Sequence, residues 1–159
     1  MNYREKFCVW LFDLSTKPYA KWFKNESDAW NVSVSELLTY PTNTLGNAVG
    51  NFLHDHGFQF IPRLESHDAY HVITGYGTDV PNEIAQQFFF YGNGKRSLYM
   101  FGVLFLSVFV LPEHFDKYIA AYKRGLQSLP LHEIDLKNSL HVDLDQIRQY
   151  IFQCQYEIK

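Results

Sequence analysis

Two imidazoles and two carboxylates lie within one short stretch of the sequence. His67, Asp68 and His71 form the pattern His-Asp-x-x-His, and eleven residues separate His71 from Glu83. On a helix, the two histidines would lie one turn apart on the same face, close enough for both rings to bind one ion. Imidazole and carboxylate groups suit zinc, iron(II) or manganese. We expect at least three of these four residues to bind a divalent metal directly, with the remaining one supporting a ligand.

The chain between His71 and Glu83 has the residues needed to reverse its direction. Gly75, Gly77 and Asp79 favour turns over helix. We therefore predict a helix that carries the histidines, a loop, and a second helix that brings Glu83 back alongside the first.

Each of these residues also has an ordinary structural interpretation. The histidines can be half-buried helix residues, and carboxylates stabilise the first turn of a helix. A second cluster, His54-Asp55-His56, lies at a predicted helix end before Gly57, where the helix dipole favours histidine. Together with His67-Asp68 it would fit a metallophosphohydrolase of the His-Asp type, but that interpretation leaves the spacing to Glu83 unexplained.

Helix start and stop signals recur along the chain and are more regular than any strand signal. We predict helices over 45–56 after Thr44, from Pro62 to Gly75, from Glu83 to Tyr91, over 97–111, from Pro112 to Gly125, and after the capping-box pattern of Asp143 and Gln146. Residues 126–142 are predicted to be a loop with a short helix, and residues 7–14 fit either helix or strand. The predicted fold is all-α, a single irregular or orthogonal helical bundle over residues 1–159.

Two of the predicted helices have apolar residues at the spacing of one buried face. These residues are Phe115, Tyr118, Ile119 and Tyr122 in one helix, and Ile147, Tyr150, Ile151 and Cys154 in the other.

The segment over residues 97–111 contains no charged residue. It is shorter than the roughly 20 residues needed to cross a bilayer core. We expect a central helix that neighbouring helices bury on every side. The alternative is that part of it faces a lipid-filled groove or rests on a membrane surface. Lys95-Arg96 and Lys123-Arg124 would then attract anionic lipid heads, although the second pair also suits a helix C-terminus.

Composition narrows the class of protein. A net charge of -3 and a pI near 6.1 argue against nucleic acid as a partner, because affinity for nucleic acid comes largely from lysine and arginine. The two cysteines form no CxxC pair, and the apolar run over 7–12 is too short for a secretory signal, so we expect a cytoplasmic protein. An aromatic content of 18% suits a core or an apolar pocket lined by bulky side chains.

These residues resemble the signature of the coenzyme Q biosynthesis protein 4 family. The signature reads here as HDAYH over 67–71 followed by NEIA over 82–85. The segments YPTNTLG over 40–46 and HVITGYGTD over 71–79 are similar to bacterial members, and YKRG over 122–125 is similar to a later segment of the family. The resemblance covers about 30–148.

The resemblance implies an all-helical protein of ubiquinone biosynthesis, peripheral to a membrane and associated with a polyprenyl lipid or quinone precursor. Its implied metal ligands are His67, Asp68, His71 and Glu83, with zinc favoured over iron or manganese. The implied activity is that of a lyase, supporting oxidative decarboxylation of a polyprenylated hydroxybenzoate. The alternative is a non-catalytic lipid-binding scaffold that organises the other quinone-biosynthesis enzymes. We expect the protein at the inner face of the cell membrane, and homo-oligomerisation is left open.

Overall fold

Helices form most of the described chain. The structure, a computed structural model, describes residues 3–10, 29–60 and 65–153. The helices are α1 over residues 3–10, α2 Val34–Leu37, α3 Leu45–His56, α4 Glu65–Thr74, α5 Val80–Gly92, α6 Leu98–Val110, α7 Phe115–Leu126 and α8 Leu144–Phe152, with single 3₁₀ turns at Pro112–His114 and Leu131–Glu133. No strand occurs within these ranges, where pairing is limited to a bridge between Thr44 and Asp143. The all-α prediction is confirmed.

Side-chain caps place the helix starts close to the predicted positions. The Thr44 hydroxyl accepts a hydrogen bond from the Asn47 backbone N–H at 3.3 Å and begins α3, and Gly57 ends that helix with φ +65°. The Asp79 carboxylate accepts from the Asn82 N–H at 3.1 Å, so α5 begins three residues before Glu83. The predicted start of α4 at Pro62 lies outside the described residues.

The predicted buried faces are only partly correct. In α7 the buried residues are Tyr118, Ala121 and Gly125, whereas Phe115 is exposed. In α8, Ile147 and Ile151 are buried but Tyr150 is 55% exposed, and Cys154 lies outside the described residues. Apolar spacing finds the inward side of a helix but not the width of the strip that its neighbour covers.

The described chain divides into two compact units, and the prediction of a single domain stays a prediction. The α5–α7 unit contains Tyr76–Ile134 with the described ends of the chain. The α3–α4 unit contains Asp135–Tyr150 and the described residues from 29 to 75.

Two glycines allow the backbones of α5 and α7 to touch. A Cβ atom on Gly92 would lie 2.1 Å from the Tyr122 carbonyl oxygen, and one on Gly125 would lie 2.0 Å from the Phe89 carbonyl oxygen. Both distances are far below van der Waals contact, so only glycine fits at either position. The ring of Phe88 stacks on that of Tyr118 with centroids 5.0 Å apart and extends the same contact.

Asn93, directly after α5, binds the chain that follows α7. Its side-chain NH₂ donates to the Leu129 carbonyl at 2.8 Å and to the Ser128 carbonyl at 3.2 Å, and its side-chain oxygen accepts from the Leu131 N–H at 2.8 Å. These buried hydrogen bonds order the start of the 126–142 segment, which is an irregular loop with a short helix as predicted.

In the α3–α4 unit, the start of α3 is held by the segment before α8. The Leu45 N–H donates to the Val142 carbonyl at 2.9 Å and the Gly46 N–H donates to the Leu140 carbonyl at 2.8 Å. These bonds satisfy N–H groups that a helix start leaves without an intrahelical acceptor.

The prediction that the apolar segment is buried on every side is wrong. Only Met100 and Ser107 of α6 are buried. Leu98 is 84% exposed, Phe105 67% and Phe109 69%, and the rings of these two phenylalanines contact each other with centroids 5.1 Å apart. A helix sequence that is apolar at every position does not show which side of the helix is exposed. Burial on all sides and burial on one side therefore predict the same sequence pattern.

Among the described helices, none is by itself long and apolar enough to span a membrane. Two consecutive segments, Leu98–Val110 and Pro112–Leu126, together have the length and apolar composition of a membrane span, but the chain bends by 104° between them.

The close packing of α5 and α7 makes a testable prediction about stability. Gly125→Ala should lower the free energy of unfolding by about 1–3 kcal/mol, because its methyl group would push the two backbones apart. Gly102→Ala is the matched control, since a Cβ atom there meets nothing within 4 Å, and it should raise stability by about 0.5–1 kcal/mol. Urea denaturation of the three proteins measures both changes, and an unchanged midpoint for Gly125→Ala would contradict the packing argument.

Candidate metal centre

The two histidines of the motif lie on one face of α4, as the spacing predicts. The ring centroids of His67 and His71 are 4.7 Å apart and the ring planes are inclined at 75°. His71 is buried and His67 is half-buried. A rigid helix therefore presents both rings together, and an ion at this face could be reached from the less buried side.

A phenylalanine from α3 packs on the buried histidine. The ring of Phe52 lies nearly parallel to that of His71, with centroids 5.7 Å apart and an interplanar angle of 11°. This stack restricts rotation of the His71 ring. Sequence reasoning missed Phe52, because it lies far from His71 along the chain and belongs to no local motif.

Asp68 lies beside its neighbour in the motif. One of its carboxylate oxygens is 3.9 Å from Nδ1 of His67, and both side chains are partly buried. At that distance the contact is electrostatic and not a full hydrogen bond. A carboxylate next to a metal-binding imidazole helps to orient the ring and raises its basicity. This geometry suits Asp68 as the supporting residue among the four candidates.

The two ends of α4 are anchored within the α3–α4 unit by charged residues that sequence reasoning also missed. Glu65, at the first position, is buried, and its carboxylate accepts a hydrogen bond from the Trp30 N–H at 3.2 Å. At the other end, the Arg148 guanidinium donates to the Val72 carbonyl at 2.8 Å and to the Ile73 carbonyl at 3.4 Å. Arginine favours the last carbonyls of a helix.

Glu83 lies in the first turn of α5 and is half-buried. The Asp79 carbonyl accepts its backbone N–H at 2.9 Å, so the helix is well formed where the glutamate projects. Glu83 lies on the side of α5 opposite the face through which Phe89 and Gly92 contact α7. Its carboxylate is therefore directed away from the α5–α7 contact.

Three of the four predicted ligands form a group that could hold a metal ion. His67, His71 and Glu83 each offer one ligand atom, and these atoms lie within 4.8 Å of one another. Two imidazoles and one carboxylate fit the donor preferences of zinc, iron(II) and manganese, and the set does not choose among them. A three-residue set would leave coordination positions for a substrate or for water. The full ligand set, including Asp68, stays a prediction.

The second histidine cluster lies elsewhere in the α3–α4 unit. His54, Asp55 and His56 are exposed in the last turn of α3, where the predicted dipole interaction applies. Nδ1 of His54 is 3.3 Å from the Asp55 carboxylate, and Nδ1 of His56 is 2.8 Å from the Phe52 carbonyl oxygen. These neighbours account for the cluster without a metal.

The arginines of the two basic pairs pack on aromatic rings in the α5–α7 unit. Arg124, in the last turn of α7, has its guanidinium carbon 4.5 Å from the centre of the Phe152 ring and 5.4 Å from that of Tyr76. Burial raises the pKa of the Tyr76 hydroxyl, and a hydrogen bond and the charge of Arg124 oppose this rise. Arg96 lies over the Tyr91 ring at 4.3 Å and donates to the Tyr91 carbonyl. These cations stabilise helix ends through cation–π contacts and hydrogen bonds.

Comparison with known proteins shows the family to which the chain belongs. The model of the family described as coenzyme Q (ubiquinone) biosynthesis protein Coq4 matches residues 59–153, more than half of the chain. The chain therefore belongs to this family, and its membership supports a role in coenzyme Q biosynthesis.

A solved structure supports the fold. It is the crystal structure of a protein from Nostoc punctiforme to which ubiquinone biosynthesis is provisionally assigned, with a TM-score of 0.60 and 16% sequence identity. The alignment covers 94% of this chain and 81% of the Nostoc protein. No curated protein matches the sequence significantly.

The position of Asp68 predicts a graded effect on metal binding. His71→Ala should abolish binding because it removes a ligand, whereas Asp68→Asn should weaken binding by about 10- to 100-fold because it removes only the support of His67. Competition with a chromophoric chelator measures both affinities for zinc, and His54→Ala is the control because His54 is exposed and outside the group. Complete loss of binding in Asp68→Asn would instead make Asp68 a direct ligand.

Proposed function

We propose that this protein binds a divalent metal through His67, His71 and Glu83 and supports oxidative decarboxylation of a polyprenylated hydroxybenzoate in coenzyme Q biosynthesis. The observation that carries the proposal is the approach of three ligand atoms to within 4.8 Å of one another. Membership of the Coq4 family indicates that the pathway is coenzyme Q biosynthesis. Zinc is the ion we favour, with iron and manganese as the alternatives.

The reaction exchanges one ring substituent for another. The carboxyl group leaves as carbon dioxide and a hydroxyl group takes its place. Dioxygen is the oxidant: one of its oxygen atoms enters the hydroxyl group and the other leaves as water, with an external donor supplying two electrons and two protons. A bound divalent ion would supply Lewis-acid stabilisation of the negative charge that develops as carbon dioxide leaves.

The chain's own residues would define where the acid binds. His71 is buried and stacked on Phe52, so its position is fixed, whereas His67 is half-buried and lies on the more accessible side. Asp68 has a carboxylate oxygen 3.9 Å from Nδ1 of His67, and at a closer approach it would accept a hydrogen bond that orients this ring as a ligand. Positioning of the substrate by such fixed groups lowers the entropy cost of the reaction.

We further propose that α6 provides the contact with the polyprenyl lipid and with the membrane surface. Leu98, Phe105 and Phe109 expose apolar surface that water solvates poorly. Large exposed apolar surfaces mark interaction sites. This would place the protein on the inner face of the cell membrane, where the other quinone-biosynthesis enzymes can reach the same lipid.

The exposed face of α6 also favours a second function, that of a non-catalytic scaffold that presents quinone precursors to partner enzymes. In that case the metal would be structural. Structural ions have closed coordination by protein ligands, whereas catalytic ions keep an open position. X-ray absorption of the metal-loaded protein separates the two functions, since a water ligand that substrate displaces is expected only for the enzyme.

Loss of one ligand should abolish turnover. We expect His71→Ala to lose both metal content and conversion of a polyprenylated hydroxybenzoate, measured by mass spectrometry of the metal and of the hydroxylated product after incubation with dioxygen and a reductant. His54→Ala should retain both. Full conversion by metal-free His71→Ala would exclude the proposed enzyme.

Removal of two exposed rings should weaken membrane binding. Phe105→Ser together with Phe109→Ser should lower the partition coefficient onto vesicles of phosphatidylcholine and phosphatidylglycerol by about 100-fold or more, because each buried phenylalanine contributes roughly 1.5–3 kcal/mol. Tyr150→Ser, which alters an exposed ring of α8, should leave partitioning unchanged. Co-sedimentation with the vesicles measures the partitioning. Equal binding by the wild type and both variants would show that α6 does not provide the membrane contact.

A further inference from the structure

The orientation of the His71 ring is not fixed by the helix that carries it. On a helix few rotamers are allowed for the first side-chain torsion, but the second torsion of a histidine has only a broad preference. A metal ion needs a ring nitrogen directed at it, so a ligand whose ring rotates freely loses conformational entropy when the ion binds. Packing against the ring is the means by which a fold removes this freedom before the ion arrives.

Phe52 of α3 supplies such packing within the α3–α4 unit. Its ring is nearly parallel to that of His71, with an interplanar angle of 11° and centroids 5.7 Å apart, which is an offset stack. Rotation of the imidazole about its second torsion would turn the edge of that ring toward the face of Phe52. On α4 itself, the His67 ring contacts the same imidazole at an angle of 75°. A ring from a neighbouring helix thus restricts the plane of the buried ligand.

The end of α3 in turn holds Phe52 in place. His56, one turn later, has its ring centroid 4.6 Å from that of Phe52, and its Nδ1 donates to the Phe52 carbonyl at 2.8 Å. Gly57 then ends the helix with φ +65°, and the Phe58 N–H donates back into the last turn of α3 at 2.8 Å. This turn brings the Phe58 ring to 6.3 Å from that of Phe52 and 5.3 Å from that of His56. Three rings at one helix end therefore pack together, and His56 has a role among them without binding metal.

We propose that Phe52 is a positioning residue of the metal centre, which holds the His71 imidazole in the plane that metal binding requires. This inference rests on the proposed function. Phe52 offers no ligand atom, so it contributes to affinity by sparing the entropy that a freely rotating His71 would lose. Immobilisation of one side chain changes an affinity by about 3- to 10-fold. Loss of the Phe52 ring should weaken metal binding by this factor without removing a ligand.

The test compares Phe52→Leu with Phe60→Leu in competition with a chromophoric chelator for zinc. Leucine keeps an apolar side chain and removes the flat ring. Phe60 is the matched control because it is also a half-buried phenylalanine of the α3–α4 unit, and its ring contact is with Trp30. We expect Phe52→Leu to bind zinc more weakly than the wild type by about 3- to 10-fold. Phe60→Leu should bind zinc as the wild type does, and so should Phe52→Tyr, which retains the ring.

Cobalt(II) in place of zinc gives a readout that a general loss of packing would not change. The visible absorption of this ion depends on the geometry of its ligands. Because His71 would take several orientations in Phe52→Leu, the absorption bands of that variant should shift and broaden. The bands of Phe60→Leu and Phe52→Tyr should match those of the wild type. Urea denaturation of the metal-free proteins measures how far each substitution changes the stability of the fold.

The outcomes separate this inference from the function on which it rests. A wild type that binds neither zinc nor cobalt would overturn the proposed metal centre, and the inference with it. If the wild type binds, equal affinity of Phe52→Leu and the wild type, or equal weakening in Phe52→Leu and Phe60→Leu, would overturn the inference alone. Unchanged cobalt bands in Phe52→Leu, weak binding by Phe52→Tyr, or a Phe52→Leu protein that does not fold would also overturn it.

Discussion

The backbone contact between α5 and α7 is the constraint on which the position of Glu83 depends. Gly92 and Gly125 leave no room for a side chain, so the two helices approach as closely as their carbonyl groups allow. One face of α5 is thereby closed, and every residue on the opposite face is fixed in direction without touching α7. A glutamate in the first turn of such a helix has little freedom beyond its own rotamers, which favours preorganised metal binding.

Helix boundaries could be predicted from the sequence because the signals that set them are local. Thr44, Asp79 and Asp143 each accept a hydrogen bond from the backbone N–H three residues later, and these bonds need no tertiary contact. At α5 the prediction begins the helix at Glu83, three residues after its observed start at Val80. The pairing of His67 with His71 follows from helix geometry alone and was predicted for the same reason.

What the sequence could not reveal depends on contacts between distant segments. Phe52 stacks on His71, and Arg148 binds the carbonyl of Val72, yet neither residue has a local pattern that relates it to α4. The exposure of α6 could not be predicted for a different reason. Its sequence is apolar without periodicity, so no polar residues mark the side that is exposed. The aromatic content predicts a core or an apolar pocket lined by bulky side chains, whereas Phe105 and Phe109 belong to an exposed face of that helix.

The ligands of the candidate centre specify an ion better than they specify a reaction. Two imidazoles and a carboxylate occur in hydrolytic, redox and structural sites, so the chemistry must be chosen by groups that touch the bound molecule and not the ion. The selectivity of the centre must therefore come from residues around the ion, because the histidine pair and Glu83 account only for the ion.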